Sequence, residues 1–121
     1  MENADRKALQ NRLLAMLGTP VHIIIDRPIG YRHPSGIVYP LHYGYLPEIL
    51  GGDGEEQDAY VLHITKPITE YTGYAVALIL RENDCEDKLV LSPEKRRYTE
   101  AEIEAAVQFQ EQYFLHKILL W

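Results

Sequence analysis

Residues 21–93 offer a succession of short strand-like runs with no helix alternating between them, and that pattern most limits what the chain can fold into. Residues 21–25 are β-branched, and residues 59–65, 74–80 and 88–91 have strand character, with polar or Pro/Gly segments between them. Short strands in series without βαβ alternation predict a small barrel. Residues 28–36 hold Pro28, Gly30, Pro34 and Gly36, which makes a long irregular loop at a strand end, a common place for ligand contacts. On one side of the barrel segment, Ala8, Leu9, Leu13, Met16 and Leu17 recur at helical spacing, and Gly18 stops that helix ahead of Pro20. On the other, Thr99 and Glu102 form a capping box, and Ile103, Ala106, Val107, Gln110, Tyr113 and Phe114 mark one helical face. The expectation is one domain over 1–121: a helix over 1–18, a barrel over 21–93 and a helix over 99–116 that closes one side of the barrel. No internal repeat, low-complexity tract or linker interrupts it.

The charge balance narrows the function. Eighteen acidic against twelve basic residues give a net charge of −6, which disfavours a nucleic-acid groove, since that demands a basic stripe. Cys85 is the lone cysteine, so no internal disulfide framework forms, and no hydrophobic run is long enough to span a bilayer. A reduced, cytoplasmic protein with neither a membrane nor a nucleic-acid partner is expected.

Residues 38–62, VYPLHYGYLPEILGGDGEEQDAYVL, set Tyr39 and Tyr43 beside three carboxylates, Asp53, Glu55 and Asp58, on a turn made by Gly51, Gly52 and Gly54. Carboxylates so crowded repel one another unless a cation relieves them, and hard cations such as magnesium take oxygen ligands of this kind. Taken alone, the string could equally be a solvated acidic loop or a calcium loop. An EF-hand is disfavoured, because Asp58 and Ile64 stand where its glycine and glutamate belong. A second acidic group, Glu82, Asp84, Glu86 and Asp87, precedes Lys88 and reads either as part of the same site or as a charged hairpin facing solvent. No G-x-x-x-x-G-K-[ST] string is present for a Walker-type nucleotide site.

With Tyr39-Pro40, His42-Tyr43-Gly44, Asp53-Gly54-Glu55 and Asp58 in this order, the segment resembles the signature of the family I soluble inorganic pyrophosphatases, as a short, divergent bacterial-type member. The likeness is densest over 38–62, extends to 21–34 and 74–93, and so covers about half the chain. It implies an α+β fold with a five-stranded, OB-like β-barrel and flanking helices. It also implies magnesium-dependent hydrolysis of pyrophosphate by a metal-activated water, with manganese as another usable cation. By position, Asp53 and Asp58 become metal ligands, Glu55 the residue that orients or deprotonates the water, and Tyr43 and Tyr39 members of the water and phosphate network. Counting back from Lys88, a phosphate-contacting lysine, Glu86 takes one ligand position. The other falls on Arg81, so that Asp84 or Asp87 must turn inward or one metal position is lost. Asp26 matches a further metal ligand; without that role it would form a strand-end ion pair with Arg27. Arg32 stands where the family has phosphate-site residues, Tyr113 matches a phosphate-contacting tyrosine, and the lysine after it is Phe114 here. The altered positions Gly30, Arg32 and Phe114 leave open another small organic diphosphate as substrate, or a non-catalytic metal-phosphate binding module. The family resemblance suggests a homo-oligomer, with the apolar tail 118–121 sealing either a subunit contact or an intramolecular groove.

Overall fold

The computed structural model describes residues 3–121. Helix α1, Asn3–Ala15, leads into strands β1, Pro20–Arg27, β2, His42–Leu50, β3, Glu56–Val61, β4, Glu70–Arg81, and β5, Lys88–Ser92. Helix α2, Glu100–Glu111, and strand β6, His116–Leu120, complete the chain. The sheet runs β1-β2-β3-β5-β4-β6, and pairing of β1 with β4 closes its first five strands into a barrel. All the pairings are antiparallel except β3 with β5.

The long strand β4 organises the closure. Its first residues, Glu70 to Tyr74, pair with β1, and where β1 leaves that edge, Ala77 to Arg81 pair with β6. The tail at 118–121 is therefore tied within the chain, with Trp121 donating its backbone N–H to Val76 O at 3.0 Å. Gly18, at φ +82°, ends α1 where a β-carbon would strike the Trp121 indole, so this glycine serves both the turn and the seating of the tail.

Both faces of the sheet are buried. Leu9 and Leu13 of α1 join Ile23, Leu46, Val61, Leu78 and Leu91 in one core, whereas Ile103 and Val107 of α2 join Tyr43, Tyr60, Ile79 and Val90 in the other. Alternate residues of β3 and β5 enter opposite cores, so β5 is buried at every position and its centre, Leu89 to Leu91, is apolar without alternation.

The expected capping box is present: Thr99 Oγ1 accepts from Glu102 N, and Glu102 Oε1 accepts from Thr99 N. Two features depart from expectation. Helix α2 ends at Glu111, not at 116, because the chain turns there to lay β6 on β4. Strand β2 occupies residues whose Gly44 and Pro47 suggest breakers. Gly44 is needed because β1 passes so close that a β-carbon would lie 1.9 Å from Ile24 O, and Pro47 falls in the irregular register between Leu46 and Leu50.

Candidate functional site

Three neighbouring strands bring Tyr43, Asp58 and Lys88 together. Parallel pairing puts Asp58 beside Lys88, and antiparallel pairing puts Tyr43 of β2 against Tyr60 of β3. The Lys88 ammonium, on a side chain only 3% exposed, donates to Asp58 Oδ2 at 2.8 Å and to Tyr43 Oη at 2.9 Å. Both partners lie within the fold and satisfy an ammonium that water barely reaches. Burial pushes the Tyr43 phenol well above its ordinary range and the Asp58 charge adds to the effect, so Tyr43 is a neutral hydrogen-bonding group.

These residues open onto a cavity of about 350 Å³ whose walls also include Arg27, Arg81 and Glu86. Its lining thus carries Arg27, Arg81 and Lys88 with Asp58 and Glu86; Lys88 is paired with Asp58 and Arg81 with Glu111, Asp84 and Glu86, which leaves Arg27 as the lining guanidinium with no carboxylate within 4 Å among the described residues. A concavity with a guanidinium that no carboxylate pairs is suited to a small anion.

Arg27 closes β1. Its NH1 donates to Tyr39 Oη at 2.6 Å, and the rings of Tyr31, Tyr39 and Tyr43 lie within 5.3, 5.6 and 5.3 Å of its guanidinium. Arg81 closes β4. Its Nε and NH2 grip the fully buried Glu111 at 3.0 and 2.8 Å, NH1 donates to Asp84 Oδ2 at 3.3 Å, and Phe114 stacks 3.7 Å from the guanidinium. Burial works against the Arg81 charge, but the two-pronged bond to Glu111 outweighs it and holds the guanidinium charged.

No protein-family model and no curated protein matches the sequence. Solved structures do. The inorganic pyrophosphatase of Ehrlichia chaffeensis matches with a TM-score of 0.63 at 14% identity, over 86% of this chain and 87% of that one. That of Coxiella burnetii gives 0.58 at 20% identity, over 84% of each chain, and that of Thermus thermophilus 0.56 at 20%, over 83% and 80%. The chain has the inorganic pyrophosphatase fold.

On this fold the residues singled out from the sequence separate into two sets. Tyr43, Asp58, Glu86, Lys88 and Tyr113 line the cavity, with Tyr113 65% exposed at its rim. Tyr39 is buried directly behind, its hydroxyl between Arg27 and Gln110. The others lie outside the lining. Asp53 and Glu55 are exposed on their turn, where Asp53 Oδ1 accepts from Glu55 N at 3.1 Å. Asp84 braces its own loop, accepting from Glu86 N at 2.9 Å besides its contact with Arg81. Asp87 is turned toward α1: its carboxylate takes Arg6 NH2 and the backbone N–H of Arg81, each at 2.9 Å, and Gln10 at 3.3 Å. Neither acidic residue turns inward to replace the position held by Arg81. Arg32 is exposed in a hairpin bridged to Val38, while His33 and Ser35 of that hairpin do reach the cavity. Asp26 is exposed, and its carboxyl is raised above its ordinary range by partial burial and then by the charge of Asp58. It forms no ion pair with Arg27 within 4 Å.

The donor set bears directly on magnesium. Among the described residues no three His, Cys, Asp or Glu side chains converge on one point, and Arg81 places a positive charge in the same cavity. The cavity does not fit a preassembled cluster of ions. An ion that brings its other oxygen ligands with it needs only one or two carboxylates, and Asp58 and Glu86 are the two on the lining, each within 4 Å of a cation.

Glu111 is the site residue that reading along the chain passes over, while Arg27, Arg81 and Gln110 are named there without the roles the fold gives them. One signal was present: Glu111 continues the 103, 107 spacing of the buried α2 face, and a carboxylate in an apolar stripe requires a buried cation.

Proposed function

We propose that the chain hydrolyses a small diphosphate, inorganic pyrophosphate first among candidates, with magnesium entering as the substrate's counter-ion. The observation that carries this reading is the buried Lys88 ammonium spanning Asp58 and Tyr43 in a cavity that also holds Arg27, on a pyrophosphatase fold. Lys88 neutralises a phosphate oxygen, and Tyr43, kept neutral, donates or accepts a hydrogen bond beside it. Asp58 and Glu86 would hold magnesium, which supplies charge neutralisation on the phosphates and lowers the pKa of a bound water. Lys88 engages Asp58 Oδ2, leaving Oδ1 for the ion, and Glu55 on its exposed turn is the residue that would orient or deprotonate the attacking water. The apolar rim of Ile37, Tyr113 and Phe114 favours, as a second reading, a diphosphate that carries an organic group.

Phosphate release from inorganic pyrophosphate, measured with and without magnesium, tests the assignment. Release is expected to require magnesium and to fall about 100-fold or more in Asp58→Asn and in Lys88→Met, the order of loss typical of removing one electrostatic or acid–base group. Absence of release from pyrophosphate and from a nucleoside diphosphate, magnesium present, would overturn it.

A further inference from the structure

Arg27 and Arg81 lie on the same cavity and are the two ends of one buried hydrogen-bonded chain. Arg27 NH1 donates to Tyr39 Oη, which donates to Gln110 Oε1. Gln110 Nε2 donates to Tyr60 Oη at 2.8 Å, Tyr60 Oη donates to Glu111 Oε2 at 2.6 Å, and Glu111 receives Arg81. The direction of every bond is fixed, because the guanidinium of Arg27 can only donate and the Glu111 carboxylate can only accept. Gln110 therefore has one allowed amide orientation, and Tyr39 and Tyr60 each use their hydroxyl once as acceptor and once as donor. All four intervening residues are buried, with Tyr60 and Glu111 fully so. A satisfied network of this kind holds its ends in place before any ligand arrives.

The two ends differ in what they have left to give. Arg81 is committed to Glu111 and Asp84. Among the described residues Arg27 has one hydrogen bond, to a neutral phenol, and no carboxylate within 4 Å. Its other partners are the three tyrosine rings, which attract a cation without neutralising it. Arg27 is thus a held, half-buried guanidinium on an anion-sized cavity, with most of its donors unused.

We propose that Arg27 is a fixed cationic receptor that binds a diphosphate with no divalent cation present, Arg27 making the direct contact and the Arg81–Glu111 pair anchoring the far end of the chain that holds it. The proposal rests on the reading of the cavity as a diphosphate site and goes further by separating binding, which side chains accomplish, from turnover, which magnesium serves. A planar guanidinium offers paired N–H groups to two phosphate oxygens, a geometry that a metal ion does not need to organise.

Calorimetric titration of the intact chain with inorganic pyrophosphate in excess EDTA tests this. Saturable binding is expected without metal, weakened by roughly tenfold or more in Arg27→Gln, the loss typical of a charged hydrogen-bond partner. Arg12→Gln, in a separate groove beside Met16 and Ile49, is expected to bind as the native chain does. Arg27 is only half-buried and touches the network through one bond, so its variant folds, which circular dichroism verifies. Binding that appears only after magnesium is added, or an Arg27→Gln chain that binds as tightly as the native one, would overturn the proposal. The parallel phosphate-release assay separates the two readings. Binding in EDTA with no release under magnesium removes the hydrolase and leaves the receptor, whereas release under magnesium without binding in EDTA does the reverse.

Discussion

At the scale of single residues the site depends on charges that the fold has buried in pairs. Arg81 and Glu111 are 3% and 0% exposed at their side chains, and each satisfies the other at 2.8 Å. Removing both costs little if apolar side chains refill the space, but removing one leaves a charge stranded in a medium that cannot solvate it. Arg81→Met is therefore expected to destabilise the chain by about 3–5 kcal/mol, and the Arg81→Met/Glu111→Leu pair by much less, as read from urea unfolding midpoints. Equal losses in the single and the double variant would show that Arg81 acts by packing against Phe114 and not by neutralising Glu111. Lys88 and Asp58 pose a different case, because the Asp58 carboxylate is 25% exposed to the cavity and can exchange its partner for a ligand's counter-ion. The same kind of contact is structural at one end of the pocket and exchangeable at the other.

At the scale of elements, the joint between α2 and β6 carries a proton-dependent clasp. His116 presents Nδ1 to Phe114 O at 2.8 Å and Nε2 to Glu104 Oε1 at 2.7 Å, and two acceptors are satisfied together only by the imidazolium. Burial works to lower its pKa, yet the Phe114 carbonyl and the Glu104 carboxylate outweigh that and raise it above the ordinary 6.5. A folded value above the unfolded one means that the clasp stabilises fully below about pH 6.5 and is lost as pH rises through the raised value. The native chain should lose a small amount of stability as pH rises from about 6.5 through the raised value, small because the Glu104 carboxylate is 42% exposed, and His116→Gln should lose less over the same window. Identical pH profiles would remove His116 from the account. Neither this strand nor β2 was legible in the sequence, for opposite reasons. The tail at 116–120 is five residues placed after a helical pattern, and only its partner β4 makes it a strand. In β2 the residues that look like breakers are what allow β1 to approach. Strands β1, β4 and β5 and the Thr99 cap could be read because each is set by its own local pattern. The site divides along the same line: Asp58, Tyr43 and Lys88 were legible as motif positions. The Arg81–Glu111 pair was not, since its partners are 30 residues apart and meet only through the fold.

At the scale of the whole molecule, an acidic chain encloses a cavity whose two lining carboxylates each face a cation, Asp58 with Lys88 and Glu86 with Arg81, and this pairing decides how metal and ligand should depend on each other. With a net charge of −6 the surface attracts divalent cations diffusely, but diffuse attraction stabilises the native state little, because the unfolded chain carries the same acidic residues. Specific stabilisation requires a site that the folded state has and the unfolded state lacks. Among the described residues no three ligating side chains converge, and Lys88 and Arg81 repel a bare cation from the two carboxylates of the cavity. A diphosphate reverses that repulsion by covering the cations and adding its own oxygens as ligands, so magnesium and diphosphate should bind cooperatively, each improving the site for the other. Thermal unfolding makes the coupling visible. Magnesium alone is expected to move Tm by about 1 °C or less, whereas magnesium with a non-hydrolysable pyrophosphate analogue at 100 times its Kd adds about 2.7 kcal/mol, or roughly 10 °C for a chain of this size. The analogue in EDTA should fall between the two, since Arg27 holds it without the ion's contribution. A shift from magnesium alone as large as that from the pair would mean that Asp53, Glu55 or Asp26 moves to complete a cluster before substrate arrives. The paired charges of the cavity would then be a feature of the metal-free form only.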